Sequence, residues 1–556
     1  MPLLILLNFM CRVLPSHVMS NAALAFDTLM LDAYRELIGL STTELNEAKY
    51  QIQWPIRNGG LGLTSYSQSH HSAYVASIAM AVPYLPVPAP PPPPPPPSSL
   101  APESDYARRT RLHSQHGILQ YSLDRLAEQG VPSSLVPTTV VGFFTTYNSG
   151  APRKLQRDIY RRVLDYEIDC KTNGREPSGN YPRIQPMTHG QCIRIQSASS
   201  RAASYFLTQH SAHDSLFEIA VNDLIAAHRH RLGLPPQSNL ILTSCPLCGR
   251  HGSRGDPSIP LPHDHFHSCQ YLRGSGTTSR HNRILHVIGR LAREIGCAYW
   301  EEPRDIMPNS NNRSTRPDAI ITTPTGRIMI DVSVINPTSE SYISRRASAP
   351  QSSSSSSTSR QSKFTHEREL IKIRKYADQA RLEDCVFYPV VFETYGAVGR
   401  MATRFFVALA DVYVTGYTGE QEEKLRTAWL RRAMAAMSFA LQSGNGYMSY
   451  LGSSQARHDI MQSRRGPHHP ISSSSPSSSP SSHQLLLPPS SPSSAGSPWP
   501  HLRHHSANNI PIIHRSRSSN SGNGASPAVV RSNSGGVRRS GRNGGRARGH
   551  HPLPPP

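Results

Sequence analysis

Apolar positions recur at helical spacing through the first part of the chain. The run "LAFDTLMLDAYRELIGL" (24–40) carries its large apolar residues at intervals of three and four, the stripe of a helix with one buried face. "RNGGLGL" (57–63) punctuates it, and "SAYVASIAMAV" (72–82) resumes a helix, so residues 1–84 are expected to pack as helices. A second mostly helical stretch is expected over 105–240, including "PRKLQRDIYRRVLDYEI" (152–168) and "HDSLFEIAVNDLIAAHRHRLGL" (213–234). From 279 to about 450 the order becomes helix, hairpin, helix, strand, helix, an α+β / α/β pattern. In "GRIMIDVSVI" (326–335), Ile328, Ile330, Val332 and Val334 alternate with Met329, Asp331 and Ser333. The first set is expected to face a core, and Asp331 the opposite side.

Elsewhere the pattern breaks down. Residues 241–273 are rich in Cys and His and poor in regular spacing, and read as a small module of their own. Residues 85–104 contain "PVPAPPPPPPPPSS", a polyproline linker expected to be extended and solvated. "RRASAPQSSSSSSTSRQS" (345–362) reads as a disordered insertion. Residues 452–556 form a basic Ser/Pro/His/Arg-rich tail with nothing to offset the entropy of ordering.

Composition agrees with folded islands in unfolded chain. Of 556 residues, 37% are hydrophobic, below the roughly 45–50% of globular domains. Lys+Arg 58 against Asp+Glu 37 leaves a net charge of +21, which points to a polyanionic partner, most simply nucleic acid. A membrane is not the expected partner, because no basic amphipathic helix with a bulky apolar face and no long apolar run occurs. The opening "MPLLILLNFMCRVLPSHVMSNAALA" lacks the basic lead of a secretion signal. Eight cysteines, scattered apart from one CxxC pair, suggest a reducing compartment and one metal site.

That site is readable in "CPLC" (245–248) and "HDHFHSC" (263–269). Cys245 and Cys248 have the spacing that lets two thiolates reach one Zn²⁺, and His265 with Cys269 would complete a tetrahedron. His263 and His267 are rival third ligands. Four protein ligands leave no open position for water, so the zinc is expected to be structural.

A second constellation lies in "RPDAIITTPTGRIMIDVSV" (316–334). Asp318 follows a proline at the mouth of one strand, and Asp331 sits inside the next. The turn between them makes the strands antiparallel, so the two carboxylates are expected to converge. At that separation they repel unless a cation, Mg²⁺ or Mn²⁺, neutralises them. Glu302, in "YWEEPRDI" (299–306), is a candidate further ligand, with Glu294 and Glu301 as alternatives. "HERELIKIRKYAD" (366–378) is a helix with Glu369, Lys372 and Lys375 along one side, while Leu370, Ile371 and Ile373 are expected to pack.

A PD…D hairpin of this kind resembles the core of the PD-(D/E)XK nucleases. Those enzymes usually place a lysine two residues after the second acid, where this chain has Ser333. Lys372 or Lys375, swung in from the later helix, is expected to fill that space. The full order of motifs resembles the C-terminal half of a polyprotein from non-LTR retrotransposons that carry a restriction-like endonuclease. In that family a reverse transcriptase precedes a Cys-Cys-His-Cys zinc motif, an Arg-His-Asn helix, an acidic-proline strand, PD…D and a K-x-x-K-Y helix. This chain supplies "CPLC", "HFHSC", "RHNRILHVIGRLAREIG" (280–296), "EEP", "RPD…IDVSV" and "KIRKY" in that order, and "FYPVVFETYGAVG" (387–399) is similar to the closing strand and turn. "RVLPSHVMSNAALAFD" and "PIRNGGLGLTSYSQSHHSAYVAS" look like a reverse transcriptase thumb and connector.

The resemblance implies a restriction-endonuclease-like core in which Asp318 and Asp331 hold magnesium, Glu302 assists, and Lys372 or Lys375 orients the attacking water. It implies nucleic-acid contacts from Arg280, His281, Asn282, Arg316 and Tyr376. Ile284, Ile288, Leu291 and Ile295 form the core stripe of the helix that begins at Arg280. The implied partners are DNA and the element's RNA, the implied location is the nucleus, and the implied reaction is a nick whose 3′ hydroxyl primes reverse transcription by the full-length protein. The Tyr/Phe-x-Asp-Asp polymerase motif is absent from all 556 residues. The chain is therefore expected to be a fragment or truncated copy that does not polymerise DNA. Two other readings stay open: a nucleic-acid-binding protein whose nuclease site has decayed, and an interaction protein working through its polyproline and tail.

Overall fold

The structure, a computed structural model, describes residues 2–85, 115–173, 186–209, 214–238, 240, 242–252, 260–303, 316–347 and 363–464. Most of the polyproline linker, most of the serine-rich insertion and the tail beyond Arg464 lie outside these residues. No helix among the described residues is long and apolar enough to cross a membrane.

The N-terminal helices are α1 (Pro2–Val13), α2 (Ser16–Ile38), α3 (Thr42–Gln53) and α4 (Tyr66–Ala81). Ser41 and Glu44 form a reciprocal capping box at the start of α3. Asp27 of α2 anchors α4 by accepting from the Tyr66 and Ser67 backbone N–H groups at 2.8 and 3.0 Å and from the Ser65 hydroxyl at 2.7 Å. A carboxylate there also complements the positive end of the helix. Helices α5 (Gln115–Glu128), α6 (Val140–Tyr147) and α7 (Leu155–Asn173) bury Leu123, Phe143 and Ile159 against Val75 and Ala79 of α4. Past α8 (His189–Ala198) and α9 (Val221–Leu232), Leu232 and Leu234 join Ile38 and Ile52 in another core. The two helical stretches thus interlock through shared apolar clusters.

The remainder is built on α10 (Thr278–Glu294) and a four-stranded sheet of order β1-β2-β3-β4. Strands β1 (Ala298–Glu301), β2 (Ala319–Thr323) and β3 (Gly326–Ile335) are antiparallel neighbours. Strand β4 (Cys385–Glu393) joins β3 in parallel after a crossover through α11 (Glu340–Ala347) and α12 (Lys363–Leu382). Pro389, which cannot donate to a ladder, is tolerated because β4 is an edge strand. The chain is therefore mixed α+β, mostly helical with one small sheet.

Both faces of the sheet are covered. Ile328, Ile330 and Val332 pack with Ile284, Ile288 and Leu291 of α10, with Phe405 of α13 (Arg400–Tyr413) and with Met437 of α14 (Gly419–Arg464); Val334 and Ile295 flank this core. The other face carries Met329 with Ile320 and Ala380 under α12. The alternation in β3 is as the sequence predicts.

Helix α12 does not follow its apolar pattern. Leu370 and Ile371 are exposed, Ile371 at 46%, whereas Phe364, Thr365, Glu369, Tyr376 and Ala380 are buried. The polar stripe faces inward because it has partners there. Buried Glu369 accepts from the Met401 backbone N–H at 2.8 Å and so caps α13, where Gly399 leaves room for its carboxylate. Helix α14 also overruns the expected boundary near 452, continuing to Arg464 with Met448, Ser453 and Ala456 buried.

Glu369→Ala should leave the Met401 N–H unsatisfied and cost about 2 kcal/mol. The expected readout is a lower thermal unfolding midpoint with secondary structure intact, and an unchanged midpoint would show that the cap does not matter.

Candidate functional site

The Cys/His module is a knuckle followed by tight turns. Cys245 N–H donates to the Arg250 carbonyl at 2.7 Å and Gly249 N–H to the Cys245 carbonyl at 2.8 Å, folding the CxxC segment back on itself. His265 lies in a single 3₁₀ turn, His265–His267, and Cys269 follows it. Cys245 Sγ and Cys269 Sγ are 3.9 Å apart, and Cys248 Sγ is 3.3 Å from His265 Nε2. One ligand atom from each of the four lies within 4.8 Å of all the others, so together they could hold a metal ion. Zn–S bonds of about 2.3 Å at tetrahedral angles put sulfurs roughly 3.8 Å apart, so the spacing and donor set fit zinc. His267 instead approaches His230, with ring centroids 4.1 Å apart, and neither it nor His263 belongs to the group.

This module has little core of its own. Leu261, Phe266 and Leu272 pack on Met448 and Ala456 of α14. Gly452 permits that contact, since a Cβ there would lie 2.4 Å from the Phe266 ring.

The paired acids stand at the other constellation. The register that pairs Ala319 with Ile330 places Asp318 opposite Asp331. Facing like charges destabilise a sheet unless they are neutralised. Each acid has its own basic partner. Lys372 Nζ lies 2.6 Å from Asp331 Oδ2, and His281 Nε2 lies 2.9 Å from Asp318 Oδ2. Asp318 Oδ2 also accepts from the Val332 backbone N–H at 2.6 Å. Burial pulls the His281 pKa down, but the Asp318 hydrogen bond and charge outweigh it, and the net shift is upward. Asp331 is 3% exposed. Tyr376 is buried over it, donating its hydroxyl to the Arg316 carbonyl at 2.9 Å; burial, then the Asp331 charge, push its pKa up.

The structure therefore brings Asp318, Asp331, Lys372, His281 and Tyr376 together. Lys375 is farther out, exposed, with Nζ 3.1 Å from the Tyr376 hydroxyl. Several expectations are corrected. Glu302 points its carboxylate at Arg316, and only its backbone N–H, 2.8 Å from the Asp318 carbonyl, touches the acid strand. Glu301 is exposed on β1, and Glu294 pairs with Arg432 at 2.7 Å at the far end of α10. Tyr376 is buried and is not an open nucleic-acid contact, and Arg280 is also buried, in the lining of a cleft. Asn282 is exposed, and Arg316 is half-buried and paired with Glu302. Sequence reasoning missed the role of His281 as Asp318's partner; its place one residue after Arg280, on the helix face beside the hairpin, was the available signal.

Elemental analysis should find one zinc per chain, lost in Cys269→Ser. Metal removal should also release the amide-exchange protection of residues 448–458, because Phe266 and Leu272 lose their fixed position. Protection that survives chelation would uncouple the module from α14.

Compared with known proteins, the chain matches no family model and no curated sequence.

Proposed function

We propose that this protein is a metal-dependent DNA endonuclease with a restriction-enzyme-like core, of the kind carried by non-LTR retrotransposons, and that it nicks one strand of a duplex. The observation that carries the reading is Lys372, delivered by α12 to within 2.6 Å of Asp331, on the hairpin where Asp331 faces Asp318. Two acids and a lysine meeting on one sheet face is a donor set that can support metal-dependent phosphodiester hydrolysis.

The hard carboxylate oxygens of Asp318 and Asp331 suit Mg²⁺ or Mn²⁺ and are the residues that would hold it. When bound, such an ion supplies a water of lowered pKa and offsets charge on the scissile phosphate. Lys372, beside Asp331, would orient the attacking water and neutralise charge on the phosphate. Tyr376 covers Asp331, and His281, 2.9 Å from Asp318 Oδ2, positions that carboxylate. The positive balance of the chain holds the DNA, since phosphate neutralisation drives affinity with or without cleavage.

One observation favours a second reading, a nucleic-acid-binding protein without cleavage. Both acids are already neutralised by side chains, and the third acid, Glu302, is turned to Arg316.

Plasmid nicking separates the two. With Mg²⁺, Asp331→Ala and Lys372→Met should each slow nicking by about 100-fold or more, as expected for a group that stabilises the transition state. Lys375→Met should change it only a few-fold. Nicking that persists in both site variants, or tight DNA binding with no nicking by the wild type, removes the catalytic assignment.

A further inference from the structure

A cleft of about 760 Å³ lies between the zinc module and the C-terminal end of β3, and the reading above makes no use of it. It is lined by Arg280 of α10, Arg368 of α12 and Arg250 of the knuckle, with His267 and Ser339 on its walls. Glu340 is the one carboxylate among the described lining residues, and Arg250 holds it in an ion pair.

Arg280 is the anomaly. It is 3% exposed and forms no ion pair among the described residues. One terminal nitrogen donates to Asn445 Oδ1 at 2.9 Å, while Nε has no hydrogen-bond partner among the described residues. Gly444 lets α14 press against it, since a Cβ there would lie 2.6 Å from Arg280 Cγ. His267 Nδ1 and Arg368 Nε also lack hydrogen-bond partners among the described residues. A buried guanidinium without a counter-charge is costly, and a planar fork of N–H donors matches the oxygens of a phosphate.

We propose that this cleft is a subsite for a backbone phosphate of the nucleic-acid strand that the acid cluster acts on. The ligand class stands on the cleft's own donors; its relation to the cut strand rests on the nuclease reading. Three elements that build the acid cluster, through Asp331, His281 and Lys372, also furnish the cleft. Arg280 immediately precedes His281, and Arg368 is one turn before Lys372, about 6 Å along the helix axis. Ile335 is four residues beyond Asp331, about 13 Å along β3. A strand seated in the cleft is held within a few nucleotides of the acids, so the subsite sets which linkage reaches Lys372.

The test uses full-length, zinc-loaded protein with no other divalent metal, and fluorescence anisotropy of a short labelled DNA duplex across a salt series. Arg368→Gln removes one donor. Ser339→Asp puts a carboxylate into the cleft at the residue before α11, where aspartate caps a helix as well as serine does. At fixed salt each should weaken binding about tenfold. Arg368→Gln should also reduce the salt slope by about 1, with unchanged unfolding midpoints. Wild-type salt slope and affinity in both variants overturn the subsite, as does a wild type stabilised by inorganic phosphate whose DNA affinity ignores both substitutions. Nicking is scored separately. Lost slope with no nicking in the wild type sinks the nuclease reading and leaves the cleft; normal slope with Lys372-dependent nicking sinks the cleft alone.

Discussion

Two carboxylates facing each other across a hairpin set the terms for this part of the fold. Asp331 is almost wholly buried and lies in register with Asp318, so the strands can pair only if positive charge reaches both. No neighbour within the hairpin supplies it: position 333 is a serine. Lys372 comes from α12, which must therefore lie across the sheet, and His281 comes from α10, on the other side of the hairpin. Such a buried pair adds little to stability compared with apolar packing. Its worth lies in fixing where the elements sit.

A second constraint is the length of α14. The helix packs against the sheet core through Met437, against Arg280 at Gly444, and against the zinc module at Met448 and Ala456. Glycine within a helix costs about 1 kcal/mol relative to alanine. Gly444 and Gly452 are tolerated because side chains from other elements occupy the space that a Cβ would fill. The four-stranded sheet and the Cys/His module are thus positioned on one support.

Much of this was legible from residue order. The Ile/Val alternation in β3, the stripe from Ile284 to Leu291 and the CxxC pair each carry a local signal that tertiary context did not overturn. What misled in α12 was the expectation that Leu370 and Ile371 pack inward. In α12 the apolar Leu370 and Ile371 are outside and Glu369, Lys372 and Tyr376 inside, because a helix terminus and two acids wait there. Arg280 and Tyr376 look like surface contacts in sequence, and their burial depends on α14 and the hairpin, both distant along the chain. The extension of α14 beyond residue 452 could not be read from "SSQARHDIM", which has no apolar stripe, since its buried face is made of serine and alanine under the zinc module. Glu302 was placed by its neighbour in sequence, yet its side chain turns to Arg316.

Helix α12 carries three separate duties within about one turn: Arg368 at the cleft, Glu369 at the end of α13, and Lys372 at Asp331. Because these residues share one rigid rod, they arrive and depart as a single cooperative unit. Lifting the helix would uncap α13 and leave the two aspartates repelling each other at the same moment. The acid pair is therefore all-or-none: intermediate, half-assembled states are penalised from both ends.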